Sequence, residues 1–494
     1  MPRNACTACR TSKVRCLSQG PGAMCRRCQG RKIACSYVQW APSPESSVSP
    51  PAQQQTYSLS RETVGLDLGR GRPEEILREA QFTHSLILLY FSNLGDVHFL
   101  FDEEVFLRRY ALGEVSEVVL FAMMALSIRF SVAPFREDLA PSHRGEILFE
   151  HARSLLQEEF DRPSIATAQA YVLLSTYKLA YGGSRQAFLY LGFAVNMLKV
   201  LRLLDVNAEI DPVRLECSRR LACTIALLDR FVALPLKLAP HLSDAVPMMM
   251  TDDEFWALKR RAPGAPPRKA SVNQEILRLS ETLVQTCTAA AAGDTATLVD
   301  VRRSLEGYWA DDPGLQYTQA NLDLHRDKDT LRSFVYMHVL YHHVGQLAHF
   351  SSGPGAIAGP SPECHHHARS IAAITQHTWL HAGLDLHNVT VGQIFTLASV
   401  VLSHALLITP SPDDEQLRLV LRASITRVKN HTRMFNWVLQ HFDEWTTKTR
   451  SLAVFDQENL LDDILFLGSQ FEKLDHRTAG QTRKFQSTGS IRMR

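Results

Sequence analysis

The chain has 494 residues, of which 45% are hydrophobic, and a net charge of +2. This length accommodates two or three domains, and the apolar content excludes a wholly disordered chain. No apolar run approaches the roughly 18 residues that a membrane span needs, so no membrane partner is expected.

Six of the ten cysteines fall at the start of the chain, at Cys6, Cys9, Cys16, Cys25, Cys28 and Cys35. Their spacing is C-x2-C-x6-C, eight residues, then C-x2-C-x6-C again, with Lys13 and Lys32 at the same offset in the two copies. Two separate four-coordinate zinc sites would need more ligands than these six thiols provide. A cluster of two zinc ions sharing two bridging thiolates is the economical arrangement, with Zn–S distances of about 2.3 Å. A disulfide framework, a RING- or ribbon-like zinc module and a metallothionein-like store are the competing readings. The first wants a small secreted domain, and no signal peptide is visible. The four-ligand modules leave two cysteines over.

Arg3, Arg10, Lys13, Arg15, Arg26, Arg27, Arg31 and Lys32 lie within residues 1–44, where no acid occurs, so the rest of the chain is net acidic. A compact cationic module on a mildly acidic body suits a nucleic-acid reader; a solvated surface is the plain alternative for any one of these charges. Between Cys9 and Cys16 the run CRTSKVRC is a short helix that only metal ligation could hold, being too short to persist alone.

These residues resemble the DNA-binding module of the fungal zinc binuclear cluster (Zn2Cys6) transcription factors, and all six cysteine positions match that family's pattern. The resemblance implies two zinc ions per chain, two short helices, Cys6 and Cys25 as the bridging thiolates, and double-stranded DNA carrying CGG triplets as partner. It places Lys13 on a base-reading position of the first helix, and lysine donors suit guanine O6 and N7. Arg10 belongs to the same basic helix, while Arg15, Arg26, Arg27, Arg31 and Lys32 suit phosphates. Two departures stand out. Ser12 occupies a site where many members carry a second basic residue, and Pro21 lies four residues before Cys25, where members place a proline one or two before it.

The expected domains are the cluster at 1–38, a disordered linker at 39–74, an all-helical regulatory domain at 75–475 and a disordered basic tail at 476–494. Pro42, Pro44, Pro50, Pro51 and the Gln53–Gln55 run mark the linker. It has no sustained heptads before Pro73, which leaves monomeric binding and a homodimer formed through the body both open. The body shows helical apolar periodicity in QFTHSLILLYFSNL (81–94), VVLFAMMALSIRF (118–130) and AFLYLGFAVNMLKVLRLL (187–204). Ser271 and Gln274 form a capping box, and residues 260–270 and 351–363 read as Gly/Pro-rich loops.

The body resembles the same family's helical middle homology region, over roughly 88–250 and more weakly to about 405. Glu216, Arg219, Arg220, Asp229 and Arg230 match its E-x-x-R-R … D-R pattern, with Ala222 and Cys223 where an aromatic is usual. These charges are expected to hold neighbouring helices together. His338 and His342 lie one helical turn apart beside His343, and Cys364–His367 is a cluster of soft donors. Packed helix is the plainer reading of both. Cys217, Cys223, Cys287 and Cys364 are expected to be free thiols in a reducing compartment.

No hydrolase, nucleotide-binding or zincin motif occurs, so no enzyme is expected. Residues 456–468 mix acids with leucines, as coactivator-binding segments do, although a packed amphipathic helix has the same pattern. The implied protein is a nuclear regulator of transcription, pathway-specific for a secondary-metabolite gene cluster. The competing reading is a protein–protein adaptor or corepressor whose cluster no longer reads DNA.

Overall fold

The computed structural model describes residues 73–429, except 96–98, 134, 138, 206–210, 244–245, 261–270, 329, 351–359 and 387–388, together with residue 439. The cluster, the linker, the coiled-coil question, the segment 456–468 and the basic tail lie outside the described residues. Among the described residues the chain is 76% helical and has no strands.

The α-helices in chain order are α1 (Pro73–Arg78), α2 (Ala80–Tyr90), α3 (Glu103–Ala111), α4 (Glu117–Ser127), α5 (Glu146–Glu158), α6 (Ile165–Ala180), α7 (Ser184–Val200) and α8 (Pro212–Ala233). They continue with α9 (Asp252–Arg260), α10 (Val272–Ala292), α11 (Thr295–Leu305), α12 (Gln319–Asp327), α13 (Leu331–Ala348), α14 (Pro362–Ala382), α15 (Val389–Ile408) and α16 (Pro412–Val428).

Helix starts follow local chemistry. Asp102, Ser164, Asp211, Asp294, Thr318, Ser361 and Ser411 each accept a hydrogen bond from a backbone N–H in the first turn of the helix that follows. Each such cap is worth about 1 kcal/mol. Pro212, Pro362 and Pro412 open their helices at positions where a missing N–H costs nothing. Gly293 and Gly383 end α10 and α14 in the left-handed conformation, at φ 66° and 61°.

Two boundaries and one cap differ from the sequence expectation. Apolar periodicity runs on to Leu204, but α7 stops at Val200, because Arg202 turns left-handed at φ 54° and the Leu203 amide donates back to the Leu198 carbonyl. That contact closes the helix end with its own backbone. Pro362 and Glu363, placed in a loop from composition, form the first turn of α14, with Ser361 as cap. Of the capping box at α10, only half forms. Ser271 accepts from the Gln274 amide at 3.2 Å, while the Gln274 side chain donates to the Met249 carbonyl instead.

The helices α4 and α13 are buried along most of their length, and each is surrounded. From Val118 to Ser127 every residue of α4 is buried, and α2, α5 and α6 pack around it. In α13, Ser333 to Leu340 and His343 to Ala348 are buried, and α10, α11, α14 and α15 enclose it. A helix without a polar face must be a core helix. Helices around them are one-sided: α5 turns Leu148, Phe149, Ala152 and Leu156 inward. Contacts between α8 and α10 join the two groups.

Candidate functional site

The six N-terminal cysteines lie outside the described residues, so their fitness for zinc rests on donor chemistry. Six thiolates are a soft, purely anionic ligand set that suits tetrahedral zinc, and two ions are fully coordinated when two of the sulfurs bridge. The cysteines of the helical body do not compete for that role. Cys217, Cys223, Cys287 and Cys364 are free. Burial pushes their thiols up, to about 11 for Cys217 and about 12 for Cys223 and Cys287, and in the same direction for Cys364. They stay protonated at neutral pH, and a protonated thiol is neither a metal ligand nor a nucleophile. Among the described residues, no group of three or more histidine, cysteine or carboxylate side chains is placed to hold a metal ion.

The charged pattern at 216–230 lies on the single helix α8 and ties the segments that follow back onto it. Glu216 is fully buried. It accepts from Arg220 Nε at 3.2 Å and from the Met250 amide at 3.0 Å, with Arg219 Nη1 at 3.7 Å. Burial holds its carboxyl above the usual range, against the pull of Arg220 and the Met250 amide. Asp229, also fully buried, accepts from His241 Nδ1 and from the Leu242 amide, both at 2.8 Å. Arg230 reaches α10, donating to Glu281 at 2.7 Å and Ser280 at 3.0 Å. These charges therefore act as clips, as expected, but their partners are mostly backbone amides and side chains that the pattern itself does not contain. Both bonds to Glu216 end on Oε1, and its Oε2, buried without a hydrogen bond, has Arg219 nearby, at 3.7 Å.

The histidines divide into two environments. His338 is buried edge-on to Trp309, Tyr317 and Phe334, with centroids at 4.6, 5.1 and 4.8 Å. His342 turns the other way and meets His367 of α14, Nδ1 to Nδ1 at 3.0 Å, so that one neutral ring donates to the other. The turn-spaced pair His338/His342 is thus not brought together, while a pair separated by 25 positions is.

Desolvation lowers His338 to about 3 and His343 to about 4. Both are neutral in the fold yet protonate near 6.5 in the unfolded chain. Their contribution is complete above pH 6.5 and is lost as pH falls from there toward 4, at up to about 1.4 kcal/mol per histidine per pH unit. Urea unfolding at pH 7 and pH 5.5 should show this loss. The double variant His338→Leu/His343→Leu should reduce the difference between the two pH values by about 2 kcal/mol.

The sequence compares with known families in both regions. Residues 4–42 match the family model of the fungal Zn(2)-Cys(6) binuclear cluster domain, and residues 87–287 match that of the fungal specific transcription factor domain. The second match runs from α2 into α10 and so takes in α4 with its surrounding helices and the α8 clips.

Among curated proteins, an uncharacterized transcriptional regulatory protein of Schizosaccharomyces pombe is 27% identical over 152 residues, covering 28% of this chain and 16% of that protein. Two Zn(2)-C6 fungal-type transcription factors of Fusarium oxysporum f. sp. lycopersici are similar over 171 residues, which is 32% of this chain. FTF1c is 23% identical with 18% of its length covered, and FTF2 is 22% identical with 16% covered. The matched stretch thus spans less than a fifth of each relative. No described helix is long and apolar enough to cross a membrane. Neither matched domain is an enzyme domain. The chain thus carries a fungal Zn(2)-Cys(6) binuclear cluster domain, which binds two zinc ions, followed by a fungal specific transcription factor domain.

Proposed function

We propose that this protein is a sequence-specific regulator of RNA polymerase II transcription that reads CGG triplets in the major groove. Cys6, Cys9, Cys16, Cys25, Cys28 and Cys35 hold the two zinc ions, with Cys6 and Cys25 as bridges. Lys13 reads the bases. Arg10 contacts DNA from the same basic helix, while Arg15, Arg26, Arg27, Arg31 and Lys32 grip phosphates and give the complex its salt dependence. The observation that carries this reading is the repeated C-x2-C-x6-C unit inside the matched segment 4–42, in a stretch with eight basic residues and no acid.

The domain limits proposed are the cluster at 1–38, a linker at 39–74, a regulatory body at 75–475 and a basic tail at 476–494. The site of action is the nucleus, and the target a secondary-metabolite gene cluster, an assignment supported by the short linker without heptads. The acidic-apolar segment 456–468 is the contact for coactivators, and dimerisation, where it occurs, runs through the helical body.

Titration of variants against CGG and scrambled duplexes at several salt concentrations tests the base-reading role. Lys13→Ala should cost about 1–3 kcal/mol on CGG and much less on scrambled DNA. Lys32→Ala should weaken both duplexes alike and reduce the salt slope by about one unit. Equal losses on the two duplexes for Lys13→Ala would mean that this helix holds only the backbone, and the adaptor reading would take its place.

A further inference from the structure

Arg129 lies on the 3-10 turn Ile128–Phe130 that ends α4, and it is only 5% exposed. None of Nε, Nη1 or Nη2 has a hydrogen-bond partner. Its Cζ sits 5.1 Å from the centroid of the Phe130 ring. Burial lowers this group to about 10, still far above neutral pH, so the fold encloses a cation. The titratable groups beside it are the phenols of Tyr181 and Tyr177, and a neutral phenol supplies no counter-charge.

The Tyr177 hydroxyl is itself buried, beside the hydroxyl of Tyr181. Its ring stacks on Phe149 at 4.4 Å and on Tyr181 at 4.5 Å, so the three rings form one aromatic column. Tyr181 and His143, edge-on to each other at 6.0 Å, are only half-buried and stand between this interior and solvent.

A buried, uncompensated guanidinium is among the costlier arrangements a core can hold, worth several kcal/mol. It persists when something other than the chain supplies the counter-charge. The planar fork of an arginine matches the two oxygens of a carboxylate, and a phenol donates a third bond to the same group. The aromatic column beside it suits an apolar or aromatic body.

We propose that Arg129, Tyr177 and Tyr181 form a binding site for a small organic carboxylate with a flat apolar body, which makes the helical domain an effector-binding unit. The proposal stands independently of how the zinc cluster reads DNA.

The test is thermal unfolding of the full-length protein with millimolar sodium benzoate, acetate or phosphate, at constant ionic strength made up with chloride. Benzoate should raise the melting temperature by a few degrees, more than acetate does, and phosphate should leave it unchanged. Arg129→Met should melt no lower than the unliganded wild type, since it removes the enclosed cation and keeps the volume. It should lose benzoate affinity by about 100-fold, the value of a charge-assisted two-point contact. Tyr177→Phe keeps the ring stack, so it serves if Arg129→Met does not fold, and it should lose about 10-fold. No shift with benzoate, an equal shift in both variants, or a response to phosphate alone would overturn the proposal. The first of these outcomes would leave buried water as the partner of Arg129.

Discussion

Cys6→Ala in the full-length protein is expected to abolish specific DNA binding while leaving the helical body folded. Under the bridging assignment this one sulfur serves both metals, so its loss opens the coordination of the whole cluster. Structural zinc in small modules contributes on the order of 10–16 kcal/mol of apparent folding free energy at neutral pH. A segment of this size cannot replace that with apolar burial. Native mass spectrometry should find fewer than two zinc ions per chain. Affinity for a CGG duplex should fall to the non-specific level, a loss of about 1,000-fold or more. Far-ultraviolet circular dichroism should keep its helical signal, since α4 and α13 have cores of their own. Two retained zincs in the Cys6→Ala protein would refute the bridging assignment.

A second large effect is expected inside the body. Arg220→Ala removes the partner 3.2 Å from the fully buried Glu216, and with it the cation that lies 4.6 Å from the Phe255 ring centroid. The carboxylate is left with the Met250 amide and a more distant Arg219. Breaking one side of a buried ion pair costs about 3–5 kcal/mol, which corresponds to a fall in melting temperature of about 5–10 °C for a domain of this size. Burial already raises the folded-state value for Glu216, so ionisation opposes folding, and stability is lost as pH rises from about 4.5 through that raised value. The deficit of the variant should therefore grow with pH over the same range. The double variant Glu216→Gln/Arg220→Met removes both charges and should recover most of the loss, because a neutral pair of similar volume carries no desolvation penalty. A single variant that melts like wild type would show that Glu216 is protonated, or is solvated by water, in the native state.

What the sequence discloses here depends on the distance over which each signal acts. The cysteine repeat is legible because zinc ligands in small modules lie close along the chain. Helix periodicity and caps are legible for the same reason, since Ser164, Asp211 and Ser411 each bond an amide three residues on. The left-handed turn at Arg202 is not legible, because the apolar pattern continues past it and nothing in the letters marks φ at a non-glycine residue.

Contacts made by folding are the hardest to foresee. Met250 comes 34 positions along the chain to donate to Glu216, and His367 crosses 25 to meet His342. Arg129 carries a sequence signal, being a lone arginine near the end of the apolar run 118–130. Such a residue is usually a surface boundary. Its enclosure by Tyr177 and Tyr181 depends on how the end of α4 meets α6.

The central claim is that the N-terminal cluster reads DNA sequence, and its most direct test is selection of bound duplexes from a random pool by the full-length, zinc-loaded protein. The account predicts enrichment of CGG triplets that disappears in Lys13→Ala. Recovery of the starting pool by wild-type protein with two zincs bound would contradict it.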